Sequence, residues 1–209
     1  MEKRRKGIIV SLLVLLLCAS TGWGQNADID LLRSINTHRN KDLDGVMAGI
    51  TNSVYPVSAV APLAELATGY RSHNKLLINS GWTTIAGLGG NFVIAFGLKY
   101  SIDRTRPYKV YPELQNYRDN KDASFPSGHT SFAFNTATSL VQTFPKWYVA
   151  VPAYAWATAV GYSRMHLGMH YPTDVLAGAV VGMGTSWLSV KGNQWIKHHR
   201  KNRKIAQPG

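Results

Sequence analysis

Five stretches without a charged side chain, residues 45–64, 76–98, 130–145, 147–163 and 175–190, limit what this chain can fold into. None alternates apolar and polar residues in the manner of a strand meander, and no segment repeats, so the reading is an all-α helical bundle. A helix needs about 20 apolar residues to cross a bilayer. The first two stretches reach that length. The other three have 16 or 17 residues and reach it by borrowing flanking residues or tilting little. The expectation is a polytopic transmembrane bundle of about five to six apolar helices, with a soluble periplasmic bundle as the alternative.

Charge placement favours spanning. If each stretch, and the apolar run over 7–19 before them, crosses once, residues 1–6, 70–75, 145–146 and the tail after 190 share one side. Their basic residues include Lys3, Arg4, Arg5, Lys6, Arg71, Lys75, Lys146 and Lys191, and their one acid is Glu2. The opposite side mixes acids and bases, which is the positive-inside pattern. The formal net charge of +12 suits an anionic lipid or phosphorylated partner. No binding motif and no aromatic-laced basic stripe accompanies it, so nucleic acid is not an expected partner. Glu65, at the inner end of the stretch 45–64, is expected to face polar groups or the interface.

The start resembles a secretory signal. Lys3 to Lys6 precede an apolar run over 7–19 and small residues over 20–24, so 1–24 is read as a signal peptide or N-terminal anchor, with cleavage near Gly24. Residues 25–191 then form the helical domain and 192–209 a basic polar tail. Leu31, Leu32 and Ile35 mark a short amphipathic helix within 26–44. Cys18, the single cysteine, cannot form an intramolecular disulfide. The expected location is a bacterial inner membrane with the polar loops facing the periplasm, or else the periplasm itself.

Those outer loops hold the groups with chemistry. Lys99, Arg106 and Arg164 are cations, and an arginine fork suits phosphate oxygens. Pro126-Ser127-Gly128-His129 precedes an apolar run: Ser127 suits a helix cap, and Gly128 lets backbone approach a ligand. A helix start also presents free N–H groups to an anion. Taken singly, surface cations and a capped helix are commonplace; their meeting on one side is what points to an anion. His166, His170 and Asp174 share a spacing of four, as in a helical metal site, but Pro172 interrupts that helix. His170 then falls in a loop and Asp174 in the next first turn, where its carboxylate can orient one imidazole nitrogen and free the other. His166 is expected as a pocket wall or a solvent-facing residue.

In order, Lys99 with Arg106-Pro107, Pro126-Ser127-Gly128-His129, and Ser163-Arg164 with His170 and Asp174 resemble the three-part signature of the type 2 phosphatidic acid phosphatase superfamily. The match runs from Lys99 to Asp174, about a third of the chain. Its texture resembles the membrane lipid-phosphatase branch more than the soluble acid phosphatases. The resemblance implies a phosphatase that uses no metal and no cofactor. His170 would attack phosphorus to form a phosphohistidine, and Asp174 would orient it. His129 would protonate the leaving oxygen and then activate water. Lys99, Arg106, Ser127, Gly128 and Arg164 would hold the phosphate oxygens. Undecaprenyl pyrophosphate, phosphatidylglycerol phosphate, lipid A phosphate and phosphatidic acid are the implied substrates. A soluble periplasmic acid phosphatase is the alternative; a vanadium haloperoxidase is disfavoured by small size and membrane texture.

Overall fold

A computed structural model describes residues 23–206, so the signal or anchor expected over 1–24 lies outside the described residues except for its last two. The helices are α1 (Trp23–Asn36), α2 (Asp44–Asn52), α3 (Val54–Arg71), α4 (Lys75–Ile102), the single turn α5 (Pro107–Val110), α6 (Gly128–Thr143), α7 (Trp147–His166) and α8 (Pro172–Ala206). The described residues contain no strand, as the sequence led one to expect.

Local signals set these boundaries. Asn74 begins α4 by accepting the N–H groups of Leu76 at 3.0 Å and Leu77 at 3.3 Å. Asp103 ends it in the left-handed region, at φ 43°. Pro172 opens α8, where a missing N–H costs nothing. The uncharged stretch 45–64 is shared between α2 and α3 rather than forming one helix. The stretch 175–190 is only the first half of α8, which continues through the basic segment to Ala206.

Polarity is inverted relative to a soluble protein. Trp82, Phe92, Val93 and Phe96 of α4 and Leu176, Val180, Trp187 and Leu188 of α8 are exposed. Asn91, Ser131, Asn135, Thr136 and Ser186 are fully buried. They bond to one another across helices: Asn91 Nδ2 donates to Ser131 Oγ at 3.2 Å, Asn135 Nδ2 to Thr185 Oγ1 at 2.9 Å, and Ser139 and Ser186 hydroxyls meet at 2.9 Å. An apolar exterior over a hydrogen-bonded polar interior is a surface for lipid. Lys41–Arg71 and Lys75–Val110 are long and apolar enough to cross a membrane. In α6 and α8 the interior Thr130, Ser131, Asn135, Thr136, Thr185 and Ser186 lower the mean hydropathy. Glu65 is buried, accepting from Thr84 Oγ1 at 3.3 Å, so it does face a polar group.

Two glycines bring the halves of the site together. A Cβ on Gly182 would stand 2.2 Å from Ser131 O, and one on Gly178 would stand 2.6 Å from Ser127 O. Only glycine lets α8 lie this close to the first turns of α6. One turn earlier on α8, the Asp174 carbonyl accepts the Ser127 N–H at 3.0 Å. Over this end lies α1, amphipathic as expected but with Ile29 and Leu32 inward against Leu114 and Tyr171, and Leu31 outward.

Candidate active site

A cavity of about 500 Å³ opens where α3, α4 and α6 meet the loops before α6 and α8. Val54, Leu88, Phe92 and Phe132 make one side apolar, while Lys99, Arg106, Asp122, His129, Arg164 and His170 make the other polar. Six of the eight expected site residues therefore line one space: Lys99, Arg106, Gly128, His129, Arg164 and His170. Asp174 and Ser127 stand behind them, both fully buried. A second space of about 450 Å³, bounded by Phe96, Tyr100, Asp103 and Lys121, shares Lys99 and Asp122 with the first.

His170 lies in the loop before α8, and Asp174 lies in that helix's first turn. The Nδ1 edge of His170 faces Asp174 Oδ2 at 3.6 Å and Ser124 Oγ at 3.4 Å. The first distance is long for a hydrogen bond, so the carboxylate stands beside the neutral ring without a made bond. Asp174 itself is firmly held. Its Oδ2 accepts from Ser124 Oγ at 2.5 Å and from Tyr171 N at 3.0 Å, and its Oδ1 accepts from Arg104 Nη1 at 2.7 Å. His170 Nε2 points into the cavity and faces Arg106 Nη1 at 3.4 Å. An Nδ1–H tautomer fits both edges and leaves the Nε2 lone pair free. Burial pushes this imidazole down to about 3, against the upward pull of Asp174.

Main-chain carbonyls hold two of the three cations. Arg106 Nε donates to Asp122 O at 3.0 Å and Nη1 to Met169 O at 2.9 Å. Lys99 Nζ donates to Ala123 O. Arg164 Nη1 reaches Thr51 Oγ1 at 3.3 Å, and its buried Nε has no partner among the described residues. His129, in the first turn of α6, meets the Tyr55 hydroxyl through Nε2 at 3.1 Å. A Cβ at Gly128 would meet nothing within 4 Å, so the backbone there is open to the cavity.

Two expectations need correction. Ser127 occupies the N-cap position of α6, yet its hydroxyl caps no N–H; it accepts from Thr130 Oγ1 at 2.9 Å. The close approach of α8 buries that hydroxyl behind the cavity wall. His166 is neither a pocket wall nor solvent-facing: it is buried with Nε2 3.1 Å from Asp44 Oδ1, which also takes Arg39 Nε at 2.8 Å. Among the described residues no group of three or more His, Cys, Asp or Glu side chains is arranged to hold a metal.

Sequence reading missed Arg104, Ser124, Tyr55 and Asp122. Arg104 ties three distant segments: besides Asp174 it bonds Thr173 Oγ1 and Asp28 Oδ2, each at 2.7 Å, and it stacks over the Tyr171 ring at 3.8 Å. Its one signal is position, two residues before Arg106. Ser124 lies three residues before Ser127, and Asp122 is one of four acids in a loop of mixed charge. Nothing in the spacing points to Tyr55, which belongs to α3.

The profile of the PAP2 superfamily matches residues 80–197. An undecaprenyl-diphosphatase of Sulfolobus acidocaldarius is 31% identical over 190 residues, covering 88% of this chain and 86% of that protein. Undecaprenyl-diphosphatase BcrC of Bacillus subtilis is 33% identical over 152 residues, 73% of this chain and 76% of its own length. Among solved structures, a transmembrane PAP2 type phosphatidylglycerolphosphate phosphatase from Bacillus subtilis superposes with a TM-score of 0.71 at 26% identity. It covers 90% of this chain and 96% of the other.

Proposed function

The chain belongs to the PAP2 superfamily, and from that premise we propose that it hydrolyses the phosphomonoester or pyrophosphate of a membrane lipid through a phosphohistidine. The observation that carries this reading is the Nε2 of His170, turned beside Arg106 into a cavity with cations on one side and apolar side chains on the other. The cations suit a phosphate and the apolar side suits a lipid.

In the proposed reaction His170 Nε2 attacks phosphorus opposite the leaving oxygen, and the P–N bond forms as the P–O bond breaks. His129 gives its proton to that oxygen. It then takes one from the water that attacks phosphorus, and the P–N bond breaks to release orthophosphate. Asp174 stabilises the charge that develops on His170. Lys99, Arg106, Arg164 and the Gly128 amide hold the non-bridging oxygens. Ser127 acts from behind the wall, through the α6 start it shapes. No step calls for a metal. The active site is proposed to face the periplasm from a bacterial inner membrane.

Phosphate release from undecaprenyl pyrophosphate, phosphatidylglycerol phosphate, lipid A and phosphatidic acid by detergent-purified protein in excess chelator tests the reading. Turnover of at least one lipid, inhibition by vanadate and acid-labile label on His170 are expected. His170→Ala should lose both label and turnover. His129→Ala should slow turnover about 10²–10⁴-fold and show a burst with p-nitrophenyl phosphate. Label on His129, or activity recovered only with a divalent ion, overturns the mechanism.

A further inference from the structure

One carboxylate stands among the cavity's cations. The Asp122 side chain is 51% exposed and reaches Lys99 Nζ with Oδ2 at 3.0 Å. Its Oδ1 reaches Arg106 Nη2 at 2.8 Å. Each carboxylate oxygen thus takes an N–H proposed above for a phosphate oxygen. Carboxylate and phosphate both present anionic acceptor oxygens, so they compete for such donors. Burial raises the Asp122 carboxyl, but Arg106 and Lys99 outweigh it and hold the group at about 2, so it is charged at any working pH.

The carboxylate is not what positions these cations. Main-chain carbonyls of Asp122, Ala123 and Met169 do that. What the side chain adds is one negative charge at the two donors. Arg164 has no such companion: its only side-chain bond among the described residues is to Thr51, and its Nε is unpartnered.

We propose that the Asp122 carboxylate is a resident competitor for phosphate at Lys99 and Arg106, and that it weakens the hold on free orthophosphate so that product leaves. The inference rests on the phosphatase reading. A lipid phosphate also gains affinity from its apolar part, and its transition state gains from the His170 bond. Orthophosphate has neither advantage, so the same penalty leaves substrate bound and product weakly held. As orthophosphate departs, the carboxylate replaces its contacts and the cations are never left bare.

Orthophosphate titrated into full-length, detergent-purified protein and followed by calorimetry tests this. Asp122→Asn and Asp122→Ala should each bind orthophosphate about tenfold more tightly or better, while Asp122→Glu, which keeps the charge, should stay near wild type. In turnover the same two variants should show a lower KM and stronger orthophosphate inhibition. A positioning role predicts the reverse: weaker phosphate binding and a raised KM. Unchanged or weaker binding overturns the proposal, and so does failure of both variants to fold, because the carbonyls should suffice. A wild-type protein that neither binds orthophosphate nor hydrolyses any lipid phosphate would instead remove the phosphatase reading beneath it.

Discussion

His170 shows how much a residue's surroundings change what its type allows. An ordinary histidine is half protonated near 6.5, but burial lowers this one to about 3. The ring should therefore stay a neutral nucleophile across the physiological range. In protein labelled selectively at histidine, its resonances should show no titration midpoint between about pH 5 and 8; a midpoint near 6.5 would contradict the burial argument. The depression also fixes a sign for stability. The unfolded chain binds a proton that the folded ring refuses, so this residue's contribution is lost as pH falls from 6.5 through about 3. Arg104 gives a second test. It touches Asp174 and not the cavity, so Arg104→Met should lower kcat with little change in KM. It should also cost about 1–3 kcal/mol of stability, discounted because 27% of the side chain meets solvent. A raised KM with kcat intact would mean that Arg104 contacts substrate. The expected site residues were legible because each had a motif neighbour and a chemical reason. Arg104 and Tyr55 were not, because their roles exist only after α1, α3 and α8 converge.

Among elements, the contact of α6 with α8 is the least forgiving. Gly182→Leu would drive a side chain into the Ser131 carbonyl, 2.2 Å from where its Cβ must stand. The helices must separate or the variant must unfold, at a cost of about 1–3 kcal/mol or more. Separation would also pull Asp174 from Ser127, so activity should fall further than the unfolding midpoint alone explains. Gly184→Leu, on the same helix with nothing within 4 Å of its Cβ position, should be far milder. Leucine is the better helix former, so propensity favours both variants, and equal losses would mean that the approach to Ser131 does not govern this position. The helical class could be read from period and length alone. The size of the helices could not. Residues 130–145 look too short and polar to span, because their Ser, Thr and Asn side chains bond to other helices instead of water, and no window average records a partner.

For the whole molecule the basic residues make orientation testable. Single cysteines placed in the loops around Asp122 and Gly168 of a Cys18→Ser chain should react with an impermeant reagent on intact cells. One placed near Lys146 should react only after lysis. The reverse pattern would invert the topology, and release of the protein by osmotic shock would remove it from the membrane. The same frame gives meaning to the two spaces that meet at Lys99 and Asp122. One is walled by Leu88, Phe92 and Phe132; the other is bounded by Asp103 and Lys121 as well as by Phe96 and Tyr100. A greasy product and a small ion then need no common doorway. On the proposed reading the shortened lipid can slip back sideways among its neighbours while orthophosphate drains towards water, and neither has to queue behind the other.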